Sequence, residues 1–192
     1  MTVPHIEADA QPPGAPGPSE YPDLFRTLDW KVVIADFEFG DRLPPDDMIA
    51  NVNIVPRVGD DWLMIRFESG VWWVPGGTRE PGESLDETMR RELLEEAGAE
   101  LLDMRYIGAW RCRSTQPAPH RPHVPHPIFF RAVALGEVRV VGEPAVPPGG
   151  ELISEVAVVP LEEAVERFRG TGRADLADLY RLAARISGDG AH

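Results

Sequence analysis

The chain has 192 residues, enough for one domain with a full hydrophobic core, and 43% of them are hydrophobic, close to the globular norm. With 32 acidic against 19 basic residues, the formal net charge of −13 disfavours a basic surface for nucleic-acid polymers. The one cysteine, Cys112, excludes an intramolecular disulfide, and the lack of any apolar run near 18 residues leads us to expect a cytoplasmic protein that does not enter a membrane.

The first 21 residues are rich in Pro, Ala, Gly and acidic residues and show no periodicity. This composition predicts a flexible extension at residues 1–21, followed by a single domain at residues 22–188. The alternative for the extension is an arm that contacts a second copy of the chain in a homodimer.

Between the extension and the glycines at 76 and 77, the pattern predicts a short helix within residues 22–29 and then four strands. Turn-forming Pro, Gly and Asp residues separate these strands, and Pro56 lies near the end of the second one or at a bulge. The last two strands form a hairpin that runs directly into the glycines. The predicted strands are Lys31–Phe39, Met48–Val58, Trp62–Phe67 and Val71–Val74.

The segment that follows, residues 76–99, reads GGTREPGESLDETMRRELLEEAGA. Ser84 and Glu87 have the spacing of a capping box, so we expect a helix that starts at Leu85. Gly98 suits the left-handed residue that ends a helix. Apolar residues recur every four positions between these ends and form one stripe: Leu85, Met89, Leu93 and Ala97.

Three glutamates of this predicted helix, Glu92, Glu95 and Glu96, share one arc because positions i, i+3 and i+4 lie on the same side. Like charges this close repel each other, which makes sense if a cation lies between them. Mg²⁺ and Mn²⁺ take oxygen ligands, and the upstream glycines allow a backbone carbonyl to approach. The alternative is an ordinary solvated acidic face, which the fixed spacing of Glu83 and Arg91 disfavours.

After this helix, Glu100–Arg113 is predicted as a long strand that Gly108 can bend. A Pro-rich loop at residues 114–127 comes next. Strands and helices mix without βαβ regularity, which favours an α+β fold over a doubly wound sheet. The remaining predicted elements are strands at Ile128–Leu135, Val138–Val141 and Glu155–Val159, helices at Leu161–Phe168 and residues 173–187, and a Pro/Gly loop at residues 143–150.

The segment from Gly77 to Ala99 resembles the Nudix box of the Nudix hydrolase superfamily, G-x5-E-x7-R-E-U-x-E-E-x-G-U, where U is a bulky aliphatic residue. Every fixed position matches, and Ala99 is the one soft departure. The resemblance implies a Nudix α/β/α sandwich with a mixed central β-sheet, on which the Nudix helix and C-terminal helices pack. It also implies a Nudix pyrophosphohydrolase that uses Mg²⁺ or Mn²⁺ to cleave a diphosphate linkage in a nucleotide or a related nucleoside diphosphate-X compound.

The resemblance also implies roles for the residues of the box. Glu95 is the first choice to polarise the attacking water. Glu83 is expected to support the ligands or to bind an additional metal, and Arg91 to pair with a box carboxylate and fix its rotamer. The expected metal ligands are Glu92, Glu95, Glu96 and the carbonyl of Gly76.

Outside the box, the substrate-binding candidates are Arg66, which can reach a phosphate, and Trp73, which can line a pocket while Trp72 packs in the core. An ordinary surface arginine is the alternative for the first. A loop glutamate, Glu151 or Glu155, is a further candidate base, and nothing in the sequence selects between the two.

Three histidines, His120, His123 and His126, repeat at every third residue of the Pro-rich loop. Metal binding, substrate contact and a solvated loop are the alternatives, and the last is favoured because no cysteine or carboxylate completes a zinc site. Cys112 is expected to be an ordinary buried or strand cysteine.

Two other functions compete with hydrolysis of a small-molecule diphosphate. A ligand-binding Nudix regulatory module without turnover usually carries a degenerate box and an added DNA-binding domain, and about 30 residues after Pro160 are too few for that domain. A Nudix-fold isomerase would need a catalytic cysteine motif that the chain lacks. Substrate specificity is expected in the loops at residues 40–47, 114–127 and 142–152.

Overall fold

The computed structural model describes residues 15–145 and 152–188. Most of the predicted extension at residues 1–21 and most of the predicted loop at 143–150 lie outside the described residues, as does Glu151. Both remain predictions.

The described residues form one eight-stranded sheet and four α-helices, with a short 3-10 helix at Asp46–Met48. The strands are β1 (Leu28–Asp29), β2 (Val33–Phe39), β3 (Ile49–Val58), β4 (Asp61–Phe67), β5 (Trp72–Trp73), β6 (Ala99–Ser114), β7 (Ile128–Val140) and β8 (Ile153–Val159). The helices are α1 (Pro22–Phe25), α2 (Leu85–Ala97), α3 (Leu161–Gly170) and α4 (Ala174–Ser187). None of these helices combines the length and the apolar character that crossing a membrane requires.

The sheet is mixed, as the resemblance implied. Its strand order is β1-β2-β6-β7-β3-β4-β5, and β8 also pairs with β4. Strands β3 and β7 run parallel, whereas the other pairs are antiparallel. The α+β class is confirmed, because the helices do not alternate regularly with parallel strands.

Helices cover both faces of the sheet, because successive side chains of a strand point to opposite sides. On β4, Leu63 packs in a hydrophobic cluster with Met89 of α2. The next residue, Met64, packs in a second cluster with Phe168 of α3. Helix α4 joins the second cluster, where the Tyr180 hydroxyl donates to the Leu63 carbonyl at 2.6 Å. The result is the three-layer sandwich implied by the resemblance.

Two predicted boundaries were wrong. The separate strands predicted at Ile128–Leu135 and Val138–Val141 are one strand, β7, which continues through Gly136. Glycine suits the close packing there, because a Cβ atom would lie 2.8 Å from Leu101 Cδ1, which would have to move. The helix predicted within residues 22–29 ends at Phe25, since Leu28 and the residue after it pair with β2 instead. The bend predicted at Gly108 is present as a register shift between β6 and β7.

Candidate active site

Both ends of helix α2 are held where the sequence predicted them. The Ser84 hydroxyl accepts from the Glu87 backbone N–H at 3.2 Å, and the Glu87 carboxylate accepts from the Ser84 N–H at 2.8 Å. Gly98 ends the helix at φ +57°, where a Cβ atom would lie 2.2 Å from the Gly142 carbonyl oxygen. The helix therefore presents its glutamates from a scaffold that is fixed at both ends.

The loop before the helix lies along the edge of β3. The Ile54 N–H donates to the Pro75 carbonyl at 2.9 Å, and the Val52 N–H donates to the Gly77 carbonyl at 3.0 Å. Gly76 has φ +149°, and a Cβ atom on it would lie 2.2 Å from the Val52 carbonyl oxygen. Only glycine allows this close backbone approach.

Two of the three predicted ligand glutamates contact this loop. The Glu96 carboxylate accepts a hydrogen bond from the Gly76 N–H at 2.9 Å. The Glu92 carboxylate lies against Gly77 so closely that a Cβ atom there would be 2.2 Å from Glu92 Oε1. The helix and the loop thus place the carboxylates of Glu96 and Glu92 against two consecutive glycines, Gly76 and Gly77.

Arg91 links the glutamates to each other. Its Nη1 donates to Glu92 Oε1 at 2.8 Å and to Glu95 Oε2 at 3.2 Å. Its Nε and Nη2 donate to the two oxygens of Glu83 at 2.7 and 3.0 Å, and Nη2 also donates to the Thr78 carbonyl. The sequence predicted a pair with one box carboxylate, whereas the guanidinium contacts three.

Glu83 and Glu92, at two ends of this network, differ in their electrostatics. Hydrogen bonds from Arg91 lower the pKa of Glu83 to about 2, with further help from the Glu80 N–H and the Thr88 hydroxyl. Glu92 is only 7% exposed, and its burial raises the pKa of its carboxyl although Arg91 opposes that shift. Glu83 is therefore ionised at any ordinary pH, whereas ionisation of Glu92 is costly unless positive charge lies beside it.

The chemistry of this donor set fits a hard divalent cation. Its members are carboxylate oxygens and one glycine carbonyl, the ligand types that Mg²⁺ and Mn²⁺ prefer. The lack of a Cβ atom at Gly77 makes room for the Glu92 carboxylate, which lies against the backbone of the loop. Among the described residues, no three His, Cys, Asp or Glu side chains converge closely enough to hold an ion as they stand. Arg91 supplies the positive charge between Glu92 and Glu95 instead.

The substrate-binding candidates outside the box have other partners. Arg66 donates to the Gly70 carbonyl within its own hairpin and lies 3.7 Å from Glu155. Trp72 is buried in the core, whereas Trp73 is half-buried and carries the Arg173 guanidinium 3.4 Å from its ring centroid. Glu155, the candidate loop base, is engaged in ion pairs with arginines. Arg66 thus supports the hairpin, and both candidates remain partly exposed.

The histidine loop is exposed, as expected of a solvated loop. His126 Nε2 lies 2.9 Å from the Gln116 carbonyl, and His123 Nε2 lies 3.0 Å from the Arg79 carbonyl. His123 also lines a pocket of about 250 Å³ with Asp46, Arg79, Glu80 and Glu83, among others. Two of the loops in which specificity was predicted therefore meet beside the glutamate network. Cys112 is buried, as predicted, and burial raises the pKa of its thiol to about 12.

Sequence reasoning missed two arginines on the opposite face of the sheet, Arg131 and Arg173. Arg131 lies in β7 between Phe130 and Ala132, which are both buried. A single charged residue within the otherwise apolar run Ile128–Leu135 is the signal that could have marked it, because buried charge is rare unless it has a partner or a function. Arg173 precedes α4 and carries no comparable signal.

The NUDIX domain family model matches residues 48–182. Over 88 residues, which are 46% of this chain and 55% of the relative, the chain is 34% identical to YtkD of Bacillus subtilis (strain 168), which is named provisionally as an 8-oxo-dGTP diphosphatase. The chain spans about half the length of the curated relatives it matches.

Two solved structures share the fold. A mutant form of the Bacillus subtilis pyrophosphohydrolase BsRppH superimposes with a TM-score of 0.58 at 18% identity, covering 80% of this chain and 92% of that one. A NUDIX hydrolase from Nitrosomonas europaea superimposes with a TM-score of 0.54 at 20% identity, covering 71% of this chain and 88% of that one.

Proposed function

The chain belongs to the Nudix hydrolase superfamily, and on that premise we propose that it is a pyrophosphohydrolase that uses Mg²⁺ or Mn²⁺. Its substrate is a small molecule, a nucleotide or another nucleoside diphosphate-X compound, and the bond cleaved is the diphosphate linkage. The provisional name of its relative, an 8-oxo-dGTP diphosphatase, supports a nucleotide substrate. The net charge of −13 supports a small-molecule substrate over a nucleic-acid polymer, and a cytoplasmic location completes the proposal.

One observation carries the proposal: the glutamates of α2 meet the glycine loop. Glu92 and Glu96 contact Gly77 and Gly76, and Glu95 shares the Arg91 guanidinium with Glu92. Carboxylates collected in this way against a glycine backbone suit the binding of a cation that in turn binds a phosphate.

Bound Mg²⁺ or Mn²⁺ would neutralise charge on the phosphate oxygens and lower the pKa of a water molecule. The residues that would hold the ion are Glu92, Glu95, Glu96 and the Gly76 carbonyl. In the proposed reaction Glu95 would accept a proton from the attacking water, whose oxygen would bond to one phosphorus while the bridging oxygen leaves with the other phosphate. Arg91, which is itself held by Glu83, positions Glu92 and Glu95, and the absence of a side chain at Gly77 lets the Glu92 carboxylate lie against the loop.

The alternative from another class is a Nudix module that binds a ligand without turnover. Release of phosphate separates the two functions. We would incubate the protein with a panel of nucleoside triphosphates, nucleoside diphosphate sugars and dinucleoside polyphosphates in Mg²⁺ and in Mn²⁺, with Glu96→Gln as the control. Turnover by wild type that is lost in the variant supports the enzyme, and ligand binding without turnover on the whole panel supports the regulatory module.

A further inference from the structure

A row of polar side chains crosses the sheet on the face opposite α2. Trp110 on β6 is the register partner of Arg131 on β7, and Arg131 Nε donates to Asn53 Oδ1 on β3 at 3.3 Å. Asn53 in turn adjoins the glycine loop, since a Cβ atom on Gly76 would lie 2.9 Å from Asn53 Nδ2. The row therefore begins at the loop that contacts the glutamates and leads away from it across three neighbouring strands.

This row contains hydrogen-bond donors that have no acceptor. Asn53 is 1% exposed and Trp110 is 2% exposed, yet Asn53 Nδ2 and Trp110 Nε1 have no hydrogen-bond partner within the described part of the chain. The same holds for Nη1 of Arg173. Buried polar atoms are almost always paired, so three unpaired donors in one region indicate an acceptor-rich group that binds there.

The two arginines of this region are held in place by aromatic rings. The Arg131 guanidinium lies 5.4 Å from the Trp30 ring centroid, and that of Arg173 lies 3.4 Å from the Trp73 ring centroid. Nε and Nη2 of Arg173 donate to the Asp175 carboxylate at 2.9 and 2.6 Å. Nη1 is the guanidinium nitrogen that Asp175 does not bind. Because Trp30 and Trp73 are both only half-buried, the walls of the region remain partly open to solvent.

Charge favours an anion over a neutral ligand here. Burial lowers the pKa of Arg131, and the positive charge of Arg173 contributes in the same direction, whereas Glu96 opposes it. Two guanidinium groups that influence each other in a desolvated region cost free energy, and an anion between them would offset that cost. Since Arg173 already covers one face of Trp73, stacking of a base on that face is excluded.

We propose that Asn53, Trp110, Arg131 and Arg173, the donor cluster, bind an oxyanion of the substrate that lies beyond the diphosphate being cleaved. This inference rests on the proposed function, and it narrows the substrate to compounds with a further anionic group, such as a third phosphate. Neighbouring strands are about 4.8 Å apart, so the strand of Arg131 lies roughly 10 Å from the glycine loop. The donor cluster therefore adjoins the glycine loop through Asn53 but is separate from the glutamates, which belong to the helix on the other face of the sheet.

Binding of two inorganic probes without metal tests the donor cluster. Calorimetric titration in EDTA would compare tripolyphosphate with pyrophosphate, which differ only by the third phosphate and carry no base. We expect wild type to bind tripolyphosphate at least 10-fold more tightly, and Arg131→Met and Arg173→Met each to reduce that ratio to below threefold. Arg139→Met is the matched control, because Arg139 lies on the same strand but is exposed and paired with Glu100.

The outcomes separate this inference from the proposed function, because binding in EDTA requires no turnover. Equal affinities for the two probes in wild type, or a ratio unchanged in both folded variants, would overturn the donor cluster even if the enzyme is active. Thermal melts establish that each variant is folded. If Arg131→Met does not fold, Arg173→Met alone decides. Glu96→Gln is expected to keep the preference for tripolyphosphate while it loses hydrolysis.

Discussion

Arg91 and Glu83 form a two-bond ion pair, in which Nε donates to Oε1 at 2.7 Å and Nη2 donates to Oε2 at 3.0 Å. The remaining nitrogen of the same guanidinium, Nη1, reaches Glu92 and Glu95. The planar group has all its donors in one fork, so fixing one edge on Glu83 also fixes the direction of the other edge. Glu83 thereby determines where two of the proposed metal ligands, Glu92 and Glu95, lie.

Removal of divalent metal should abolish hydrolysis. The proposed ligands are all oxygen atoms, and a cation bound by them would neutralise the phosphate groups that must lie beside these carboxylates. We expect no phosphate release in EDTA and recovery when Mg²⁺ or Mn²⁺ is added in excess. Undiminished turnover in EDTA on the substrate found in the panel would contradict the metal role.

Glu95→Gln and Glu96→Gln should each lower kcat by about 100-fold or more, because both side chains act on charge that develops in the transition state. Steady-state kinetics with saturating Mg²⁺ gives the values. Glu100→Gln is the control, since Glu100 follows the same helix closely but is exposed and paired with Arg139. Wild-type kcat in Glu96→Gln would show that this glutamate is not a ligand.

Gly77→Ala should lower both metal affinity and kcat, the latter by about 10-fold or more. A Cβ atom there would lie 2.2 Å from Glu92 Oε1, so the carboxylate must move away from the loop. Gly170→Ala is a control at the end of α3, where a Cβ atom meets nothing within 4 Å. Titration of Mn²⁺ and initial rates would be measured for both. Equal behaviour of the two variants would mean that Glu92 does not need its observed position.

Much of the fold could be predicted from local patterns. The capping box at Ser84 and the left-handed Gly98 determined the ends of α2 correctly, because a cap depends on residues that are neighbours in sequence. The prediction divided β7 into two strands around Gly136, a residue that packs closely against Leu101 of a neighbouring strand. Such a contact between distant residues is invisible in a single sequence.

For the site, spacing within one helix predicted which carboxylates share an arc but not their partners. The three-way contact of Arg91 depends on the χ angles of a long side chain, which no repeat pattern encodes. The donor cluster could not be predicted from the sequence, because Asn53, Trp110 and Arg131 come from three strands that are brought together only by the order of the sheet. Roles for Arg66 and Trp73 in binding substrate remain predictions.

Replacement of His120, His123 and His126 by Ala should leave kcat within about 10-fold of wild type. All three are exposed, and those with defined partners contact backbone carbonyls, not the glutamates. Because His123 lines the pocket beside Glu83, KM is expected to change more than kcat. A fall in kcat as large as that of Glu96→Gln would assign this loop to the chemistry.

Glu83 should make the stability of the metal-free protein depend on pH. Its pKa is lowered to about 2 in the folded state by hydrogen bonds from Arg91, against 4.5 for an unperturbed glutamate. A lowered pKa means that the ionised form is stabilised by folding. The contribution is therefore complete above about pH 4.5 and is lost as the pH falls toward 2. Glu83→Gln should cost about 2 kcal/mol of unfolding free energy at pH 7, the scale of hydrogen bonds to a charged group.

Urea unfolding in EDTA at pH 7, 5 and 3.5 would measure this dependence for wild type and Glu83→Gln. The difference between the two proteins should be equal at pH 7 and 5 and smaller at pH 3.5, because wild type then begins to lose its ionised-state advantage while the variant has none to lose. Glu100→Gln, in an exposed pair, controls for a general effect of removing one negative charge. A difference that stays constant down to pH 3.5, or that grows, would mean that Glu83 is not held in its ionised form by Arg91.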